Sequence, residues 1–200
     1  MKNSNHFLMD NHQPLIQHIC KHIDLSGSEI ELIKSSFQFK RLQKRMFLLQ
    51  EGNYCEHENY VMNGCLHSYT VDKDGNSHTL HFAVEDWWIT DFESFVKHTP
   101  ASRNIVALED SLLLQINKQD LDDLYQKIPA FNYFFRILNQ NGAIAQDRRI
   151  LNNISMSGAE RYEAFVRAYP TFLQRIPQKY IASYLGITPE FLSNIRKGTR

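Results

Sequence analysis

Between residues 39 and 117 the sequence reads as a run of short strands, and this run limits the chain to a few architectures. Stretches rich in apolar and β-branched residues are separated by turn residues at a spacing of about 8–12 residues, which is typical of antiparallel strands. Asp74-Gly75 is a dipeptide typical of a tight β-hairpin turn. Because no helical pattern separates these strands, we predict an antiparallel sandwich or barrel for this part of the chain.

Helical patterns flank this run of strands on both sides. On the N-terminal side, Ser26 followed three residues later by Glu29 is a capping box, which predicts a helix that runs to about Phe37. On the C-terminal side, Asn117 is a natural N-cap residue for a helix that begins directly after the last strand. Strands in one block with helices segregated at its ends predict an α+β protein.

The longest helical segment begins at Pro129 and is predicted to run through residue 155. Its apolar residues recur near heptad spacing, interrupted by Asn141 and Gly142. A helix of this length has little of its own chain to lie against, so pairing with a second copy would cover the apolar stripe. The alternative is that it packs on the chain's own β domain. The predicted dimer-interface residues are Phe131, Phe134, Leu138, Asn141 and Ala145.

The segment "QKYIASYLGITPEFLSNIRK" predicts two short helices joined by a glycine turn. Counted from Gln178, the small residue Ala182 is fifth and Gly186 is ninth, which is the spacing of a helix-turn-helix. Thr188 can cap the second helix, with Pro189 in its first turn, where a missing N–H is no loss. A plain pair of core helices with the same apolar residues is the alternative. Those apolar residues are Ile181, Leu185, Ile187, Leu192 and Ile195.

The second of these helices carries side chains suited to DNA. Glu190 can accept a hydrogen bond from cytosine, Asn194 can pair with adenine, and lysine or arginine can neutralise phosphate. From residue 158 onward seven Lys or Arg stand against three Glu in a chain of zero net charge, which favours a phosphate-bearing partner for this end. The predicted DNA-binding residues are Gln178, Lys179, Thr188, Glu190, Ser193, Asn194, Arg196 and Lys197.

Other features of the sequence argue against several classes of protein. No apolar run approaches the ~18–20 residues of a membrane span, and the N-terminus lacks the pattern of a signal peptide, so we expect a cytoplasmic protein without a membrane partner. Cys20, Cys55 and Cys65 are too few and too scattered for a disulfide framework or an iron–sulfur cluster. No catalytic triad order, phosphate-binding glycine loop or close carboxylate pair is present, so we expect no enzyme activity.

A metal site in a jelly-roll enzyme is the alternative from a different functional class. The two histidines of "HTLH" are separated by two residues, whereas the cupin-type signature has one, and on a strand they would point to opposite faces. We therefore predict no metal site. The residues that this alternative would use are Glu56, His57, Glu58, His67, His78 and His81.

Strands, long helix and C-terminal helix-turn-helix together resemble the Crp/Fnr family of bacterial transcription regulators over nearly the whole chain. The stretch beginning "RLQKRMFLLQEGN" is similar to the family's cyclic-nucleotide-binding β-roll, with Gly52 and Gly64 at its turn glycines. The segment "SMSGAERY" and the helix-turn-helix resemble a subgroup common in Bacteroidetes. The resemblance implies a homodimer that binds a pseudo-palindromic site in double-stranded DNA, gated by a small molecule. The implied parts are a β-roll sensor domain (1–128), a dimerisation helix (129–155) and a DNA-binding domain (156–200).

The ligand pocket that the resemblance implies departs from the family pattern. Members that bind cAMP place a Gly-Glu pair, and later an Arg followed by Ser or Thr, around the cyclic phosphate. Here those positions read Thr90, Asp91, Ala101 and Ser102. Because the cation that would face the phosphate is missing, we predict that cAMP is not the ligand and leave the effector unknown. The adjacent tryptophans are a stacking platform, a pocket plug or a domain contact. The predicted pocket residues are Trp87, Trp88, Ile89, Asp91, Ser102 and Arg103.

The C-terminal end departs from the family pattern as well. Two base-reading arginines of the cAMP-responsive members correspond to Pro189 and Asn194, while the glutamate between them is kept as Glu190. The wing that follows the family's helix-turn-helix is reduced here to "KGTR". We therefore predict a different target sequence and a helix-turn-helix without a full wing. The alternative function is a dimeric sensory or interaction module of the same fold whose helix-turn-helix does not bind DNA.

Overall fold

The described part of the chain, residues 11–198 of a computed structural model, contains eight strands and nine helices. The strands are β1 (Gln38–Leu42), β2 (Phe47–Leu49), β3 (His57–Asn63), β4 (Leu66–Val71), β5 (Ser77–Ala83), β6 (Trp88–Ile89), β7 (Asn104–Ala107) and β8 (Ser111–Asn117). The helices are α1 (Gln13–Cys20), α2 (Gly27–Ser36), α3 (Phe92–Lys97), α4 (Lys118–Lys127), α5 (Pro129–Ser155), α6 (Gly158–Ala168), α7 (Phe172–Arg175), α8 (Gln178–Leu185) and α9 (Pro189–Gly198).

The strands form two antiparallel four-stranded sheets, and residues of both enter one core, as in a β-roll. The first sheet has the order β1-β8-β3-β6 and the second has the order β2-β7-β4-β5. The predicted α+β architecture is confirmed, with helices at both ends of an antiparallel β-roll. The prediction that no helix interrupts the strands is wrong in one place, because α3 lies between β6 and β7.

Local signals in the sequence produce the predicted turns and caps. The β4–β5 hairpin turns at Gly75, which has a φ of 83° and donates its N–H to the Asp72 carbonyl at 3.0 Å. The Ser26 hydroxyl accepts the Glu29 N–H, and the Glu29 carboxylate accepts the Ser26 N–H at 2.7 Å, which completes the capping box of α2. The Asn117 side chain caps α4 by accepting the Asp120 N–H at 2.8 Å.

One core cluster fills the β-roll and extends to the first turns of α5. Phe131 and Phe134 are 0% and 1% exposed within it. This corrects the prediction that both side chains lie in a dimer interface, because the β-roll of the same chain already covers them. Leu138 is partly buried against the same cluster. The alternative in which the long helix packs on the chain's own β domain therefore holds for the beginning of α5, while pairing with a second copy stays a prediction.

The remainder of α5 leaves the β-roll and presents apolar side chains to solvent. Residues 141–148 are all exposed, including the predicted interface residues Asn141 and Ala145. Further along the helix, Ile150 and Leu151 are 58% and 56% exposed, and Ile154 is 79% exposed. Large apolar side chains grouped on an exposed helix are a typical sign of an interaction surface.

A second core cluster joins the C-terminal helices to the second sheet. Phe165 of α6, Phe172 of α7 and Leu192 of α9 are buried in it together with Phe82 of β5 and Cys65. Burial raises the pKa of the Cys65 thiol to about 12, so this cysteine is an uncharged core residue at neutral pH. The C-terminal helices are therefore docked on the β-roll and share apolar core with it.

Glu58 in β3 is a buried carboxyl group inside the β-roll, with 5% of its surface exposed. Burial raises its pKa from 4.5 to about 8. The folded chain thus binds a proton at Glu58 more tightly than the unfolded chain does. The contribution of the protonated Glu58 carboxyl to the free energy of unfolding is complete below about pH 4.5 and is lost as the pH rises through about 8.

Replacing Glu58 with glutamine is expected to remove this loss of stability at alkaline pH. At pH 9 the variant should be more stable than the wild type by on the order of 2 kcal/mol, and near pH 5 the two should converge. Urea unfolding at several pH values measures the difference. The exposed neighbour Glu56, changed to glutamine, serves as the control. Parallel stability curves for wild type and the Glu58 variant would contradict the interpretation.

Candidate DNA interface and sensor pocket

Helices α8 and α9 meet at a tight glycine turn. Gly186 has φ 65° and ψ 36°, which is the left-handed conformation that favours glycine. The Ile187 N–H donates to the Ala182 carbonyl at 3.0 Å and the Gly186 N–H to the Ser183 carbonyl at 3.1 Å, the bond pair of a Schellman motif. Ala182 is fully buried. These features match the small residue and the turn glycine that the sequence predicted.

The second helix is capped as predicted by Thr188. Its hydroxyl accepts the Phe191 N–H at 3.1 Å, and Pro189 follows in the first turn. Helix α6 closes the unit from the other side. A Cβ atom on Gly158, the first residue of α6, would lie 2.8 Å from Cγ2 of Ile187, so the two segments approach as closely as glycine allows. Helices α6 and α8 thus hold α9 with its apolar side inward.

The outer side of this unit gathers most of the predicted DNA-binding residues. Gln178 from α8 and Ser193, Arg196 and Lys197 from α9 line one shallow depression of about 210 Å³. Glu190 and Asn194 are exposed on the same helix, four residues apart. Thr188 acts as the cap. These polar residues remain open to a partner, while Leu192 is 1% exposed on the inner side.

Among the predicted DNA-binding residues, Lys179 is set apart because its side chain lines a cavity other than the depression on the outer side of α9. Its ammonium group sits over the Tyr180 ring, 4.8 Å from the centroid. Together with Tyr180 it lines a cavity between α8 and the second sheet.

The contact between the C-terminal helices and the β-roll is centred on Arg175. Its guanidinium donates to the Glu85 carboxylate at 2.7 and 2.9 Å, to the Glu109 carboxylate at 2.7 and 3.1 Å, and to the Gly64 carbonyl at 2.9 Å. Hydrogen bonds to Glu109 and Glu85 raise the pKa of Arg175 further above its ordinary value. Burial alone would raise the pKa of Glu85, but hydrogen bonds from Arg175 and Gly64 outweigh it, so the carboxylate stays charged.

Arg149 of α5 forms a second such contact. Its guanidinium donates to the carbonyls of Leu80 at 2.6 Å, Thr79 at 2.9 Å and Tyr184 at 3.0 Å, and it lies 4.1 Å from the centre of the Tyr184 ring. Sequence reasoning missed both arginines. No local pattern distinguishes a partly buried, hydrogen-bonded arginine from a solvated one when its partners lie more than 30 residues away.

The tryptophan pair joins the two cores. Trp87 packs against Tyr169 and Phe172 of the C-terminal part, with ring centroids 5.7 and 5.9 Å apart. Trp88 turns into the β-roll, where it contacts Phe135 and Tyr60 at 5.1 and 5.5 Å. Of the three interpretations of this pair, the structure supports the domain contact for Trp87. Ile89 is likewise a core residue, 3% exposed.

The remaining predicted pocket residues do come together in the β-roll. Asp91 is 1% exposed and caps α3, and its carboxylate accepts the Ser102 N–H at 2.9 Å and lies 3.3 Å from Nε of Arg103. That distance makes an ion pair, although the N–H does not meet hydrogen-bond geometry. Ala101, at the position where the family has its phosphate-binding arginine, is buried. The nearby cation is thus already paired with a carboxylate.

The histidines and cysteines of the described residues do not form a metal site. Within residues 11–198 no group of three His, Cys, Asp or Glu side chains is positioned to hold a metal ion. His78 pairs with Asp72 at 2.7 Å, and His67 hydrogen-bonds to Thr79 at 2.9 Å. Cys20 is exposed, while Cys55 and Cys65 are buried and not bonded to each other.

Among the helices of residues 11–198, none is long and apolar enough to cross a membrane.

Comparison with known proteins agrees with this architecture. Residues 39–128 match the family model of the cyclic nucleotide-binding domain. The regulatory protein HlyX of Actinobacillus pleuropneumoniae is 26% identical over 194 residues, which cover 90% of this chain and 79% of HlyX. The fumarate and nitrate reduction regulatory protein of Escherichia coli (strain K12) is also 26% identical, over 90% of this chain and 76% of that protein.

Solved structures share the fold at lower sequence identity. The c-di-GMP responsive global regulator CLP of Xanthomonas campestris superposes with a TM-score of 0.71 at 13% identity. The aligned region covers 87% of this chain and 91% of that chain. The β-roll, the long helix and the C-terminal helices therefore occur together in a known fold.

Proposed function

Since this chain belongs to the Crp/Fnr family of transcription regulators, we propose that it binds double-stranded DNA through α9 as a homodimer. The observation that carries this proposal is the division of α8 and α9 into a buried apolar side and an exposed polar side. Gln178, Ser193, Arg196 and Lys197 share one depression on the polar side, where a plain core pair of helices would need no such grouping.

The relatives support a regulatory role rather than a catalytic one. HlyX and the fumarate and nitrate reduction regulatory protein are regulatory proteins by name, and they align with nine tenths of this chain. We propose the same three-part division that the sequence indicated, with a β-roll sensor domain (1–128), a dimerisation helix (129–155) and a DNA-binding domain (156–200). A cytoplasmic location follows from binding chromosomal DNA.

A dimer would read a pseudo-palindromic site, because two recognition helices related by a two-fold axis meet two equivalent half-sites. The exposed part of α5, which includes Asn141 and Ala145, supports this assembly. The β-roll would then act as the sensor for a small molecule. That effector is not cAMP in our proposal, because Ala101 carries no charge and Arg103 is already paired with Asp91.

Two alanine substitutions in α9 separate base reading from phosphate binding. Asn194→Ala is expected to weaken binding to the best site by about 1–3 kcal/mol and to relax preference at one base pair per half-site. Lys197→Ala should weaken all sequences alike and reduce the slope of log affinity against log salt by about one for each lost phosphate contact. Selection of bound duplexes from a random DNA pool, followed by a salt series on the selected site, measures both effects.

The control for these variants is Lys127→Ala in α4, an exposed lysine far along the chain from α9 that pairs with Asp123. It should leave both the preferred sequence and the salt slope unchanged. If the wild type retains no duplex from the pool at low salt, the DNA-binding role is refuted. The interaction module of the same fold then becomes the better description.

A further inference from the structure

A cavity of about 430 Å³ lies between the second sheet of the β-roll and α8. Its walls come from β4 and β7 on one side and from α8 on the other. The volume falls within the range of about 300–1,000 Å³ that is usual for sites of small molecules. The predicted pocket residues around Asp91 are not among those that line it.

The charged side chains that line this cavity are cationic. Arg45 and Lys179 both contribute to the wall, and no Asp or Glu does. Neither cation forms an ion pair with any other part of residues 11–198. Both side chains are exposed, and two cations beside one cavity favour an anionic occupant through Coulomb attraction.

The rest of the wall is aromatic and hydroxyl-bearing. The His67 ring stacks on Tyr69 at 5.0 Å and lies 4.3 Å from the Tyr180 ring across the cavity boundary. Ser77 and Ser183 add hydroxyl groups. His67 is 1% exposed, and its Nδ1 has no hydrogen-bond partner within the described residues. Burial lowers the pKa of His67 to about 4, so the ring is neutral at neutral pH and can both stack and hydrogen-bond.

We propose that this cavity binds a small aromatic anion, with the ring against Tyr69 and Tyr180 and the negative group near Arg45 and Lys179. The occupant would contact the sensor sheet and the first helix of the helix-turn-helix at once. Binding therefore holds α8 against the β-roll and restrains the orientation of α9. The inference goes beyond the proposed DNA-binding role and does not depend on it.

Calorimetric titration of the purified chain with AMP and with 4-hydroxybenzoate tests the proposal, because each joins an aromatic ring to an anionic group. At least one of the two is expected to bind once per chain, at least tenfold more tightly than its neutral counterpart, adenosine or phenol. Which of the two binds shows whether the site prefers a nucleotide or an aromatic carboxylic acid. Inorganic phosphate, an anion without a ring, should bind at least tenfold more weakly.

Matched variants locate the site. Arg45→Gln should weaken binding at least fivefold and Arg45→Lys should restore most of it, while Arg136→Gln, an exposed arginine of α5, should have no effect. Three results would overturn the proposal: no binding of either anion at millimolar concentration, unchanged affinity in Arg45→Gln, or phosphate binding as tightly as the aromatic anion that binds. No DNA is present in this titration, so its failure leaves the DNA-binding proposal untouched, and the reverse also holds.

Discussion

Replacing Leu151 with aspartate is expected to turn the proposed dimer into a monomer. Ile144 and Leu151 are seven residues apart on α5, the spacing of one face of a coiled coil, and both are 56% exposed in the single chain. Ile154 follows on a neighbouring row. Burying one leucine side chain stabilises the dimer by about 1.5–3 kcal/mol, and a symmetric dimer loses this contribution twice. The dissociation constant of the dimer should therefore rise by about 100-fold or more. Sedimentation equilibrium at micromolar concentration measures the change.

Leu151 is a cleaner test site than Leu138, which is partly buried against the chain's own core. Aspartate at an exposed helix position costs the single chain only about 0.5 kcal/mol, so the monomer should remain folded. Gln146→Asp, two residues from Ile144 and on the opposite side of α5, is the control and should stay dimeric. A wild-type chain that is monomeric at micromolar concentration would refute the dimer.

Replacing Arg175 with methionine is expected to destabilise the whole chain and to loosen the C-terminal helices from the β-roll. The substitution keeps most of the aliphatic packing but leaves Glu85 and Glu109 facing each other without a cation. Charge-assisted hydrogen bonds of this kind contribute about 1.5–3 kcal/mol. Because all three side chains are a quarter to two fifths exposed, solvent screening keeps the net loss nearer about 2 kcal/mol. Urea unfolding of wild type and variant measures it.

Arg175→Lys serves as the matched variant, since it keeps the charge but cannot form the two parallel bonds to Glu85. It should lose less stability than methionine. A double-mutant cycle with Glu85→Gln should show a coupling free energy of about 1 kcal/mol or more. If the Arg175→Met chain is as stable as the wild type, Arg175 does not hold the two parts of the chain together.

Features that depend on neighbouring residues were predictable from the sequence. Gly186 at the turn and Thr188 at the cap act over three to five residues, so their spacing alone indicates the helix-turn-helix. The capping box at Ser26 is of the same kind. The start of α5 follows similarly from Pro129, which lies in its first turn.

Features that depend on residues far away in the chain could not be predicted from the sequence. The heptad pattern of α5 indicates an apolar face, but it does not tell whether the same chain or a second chain covers that face. The aromatic residues at the start of α5 are covered by the β-roll. The partners of Arg175 lie 66 to 111 residues away in the chain, and no local pattern announces them. The cavity at Arg45 likewise exists only because β4, β7 and α8 meet.

The exposed middle of α5 also bears on how the finished protein is made. Residues 141–148 contact no core of their own chain, and Gly142 lowers the helix propensity of this stretch. In an isolated chain no tertiary packing within residues 11–198 therefore stabilises these turns of the helix. In the proposed dimer they gain that packing only from the second chain, so the last step of its assembly is bimolecular. We therefore expect the rate at which the dimer forms to depend on the square of the concentration of newly synthesised chains.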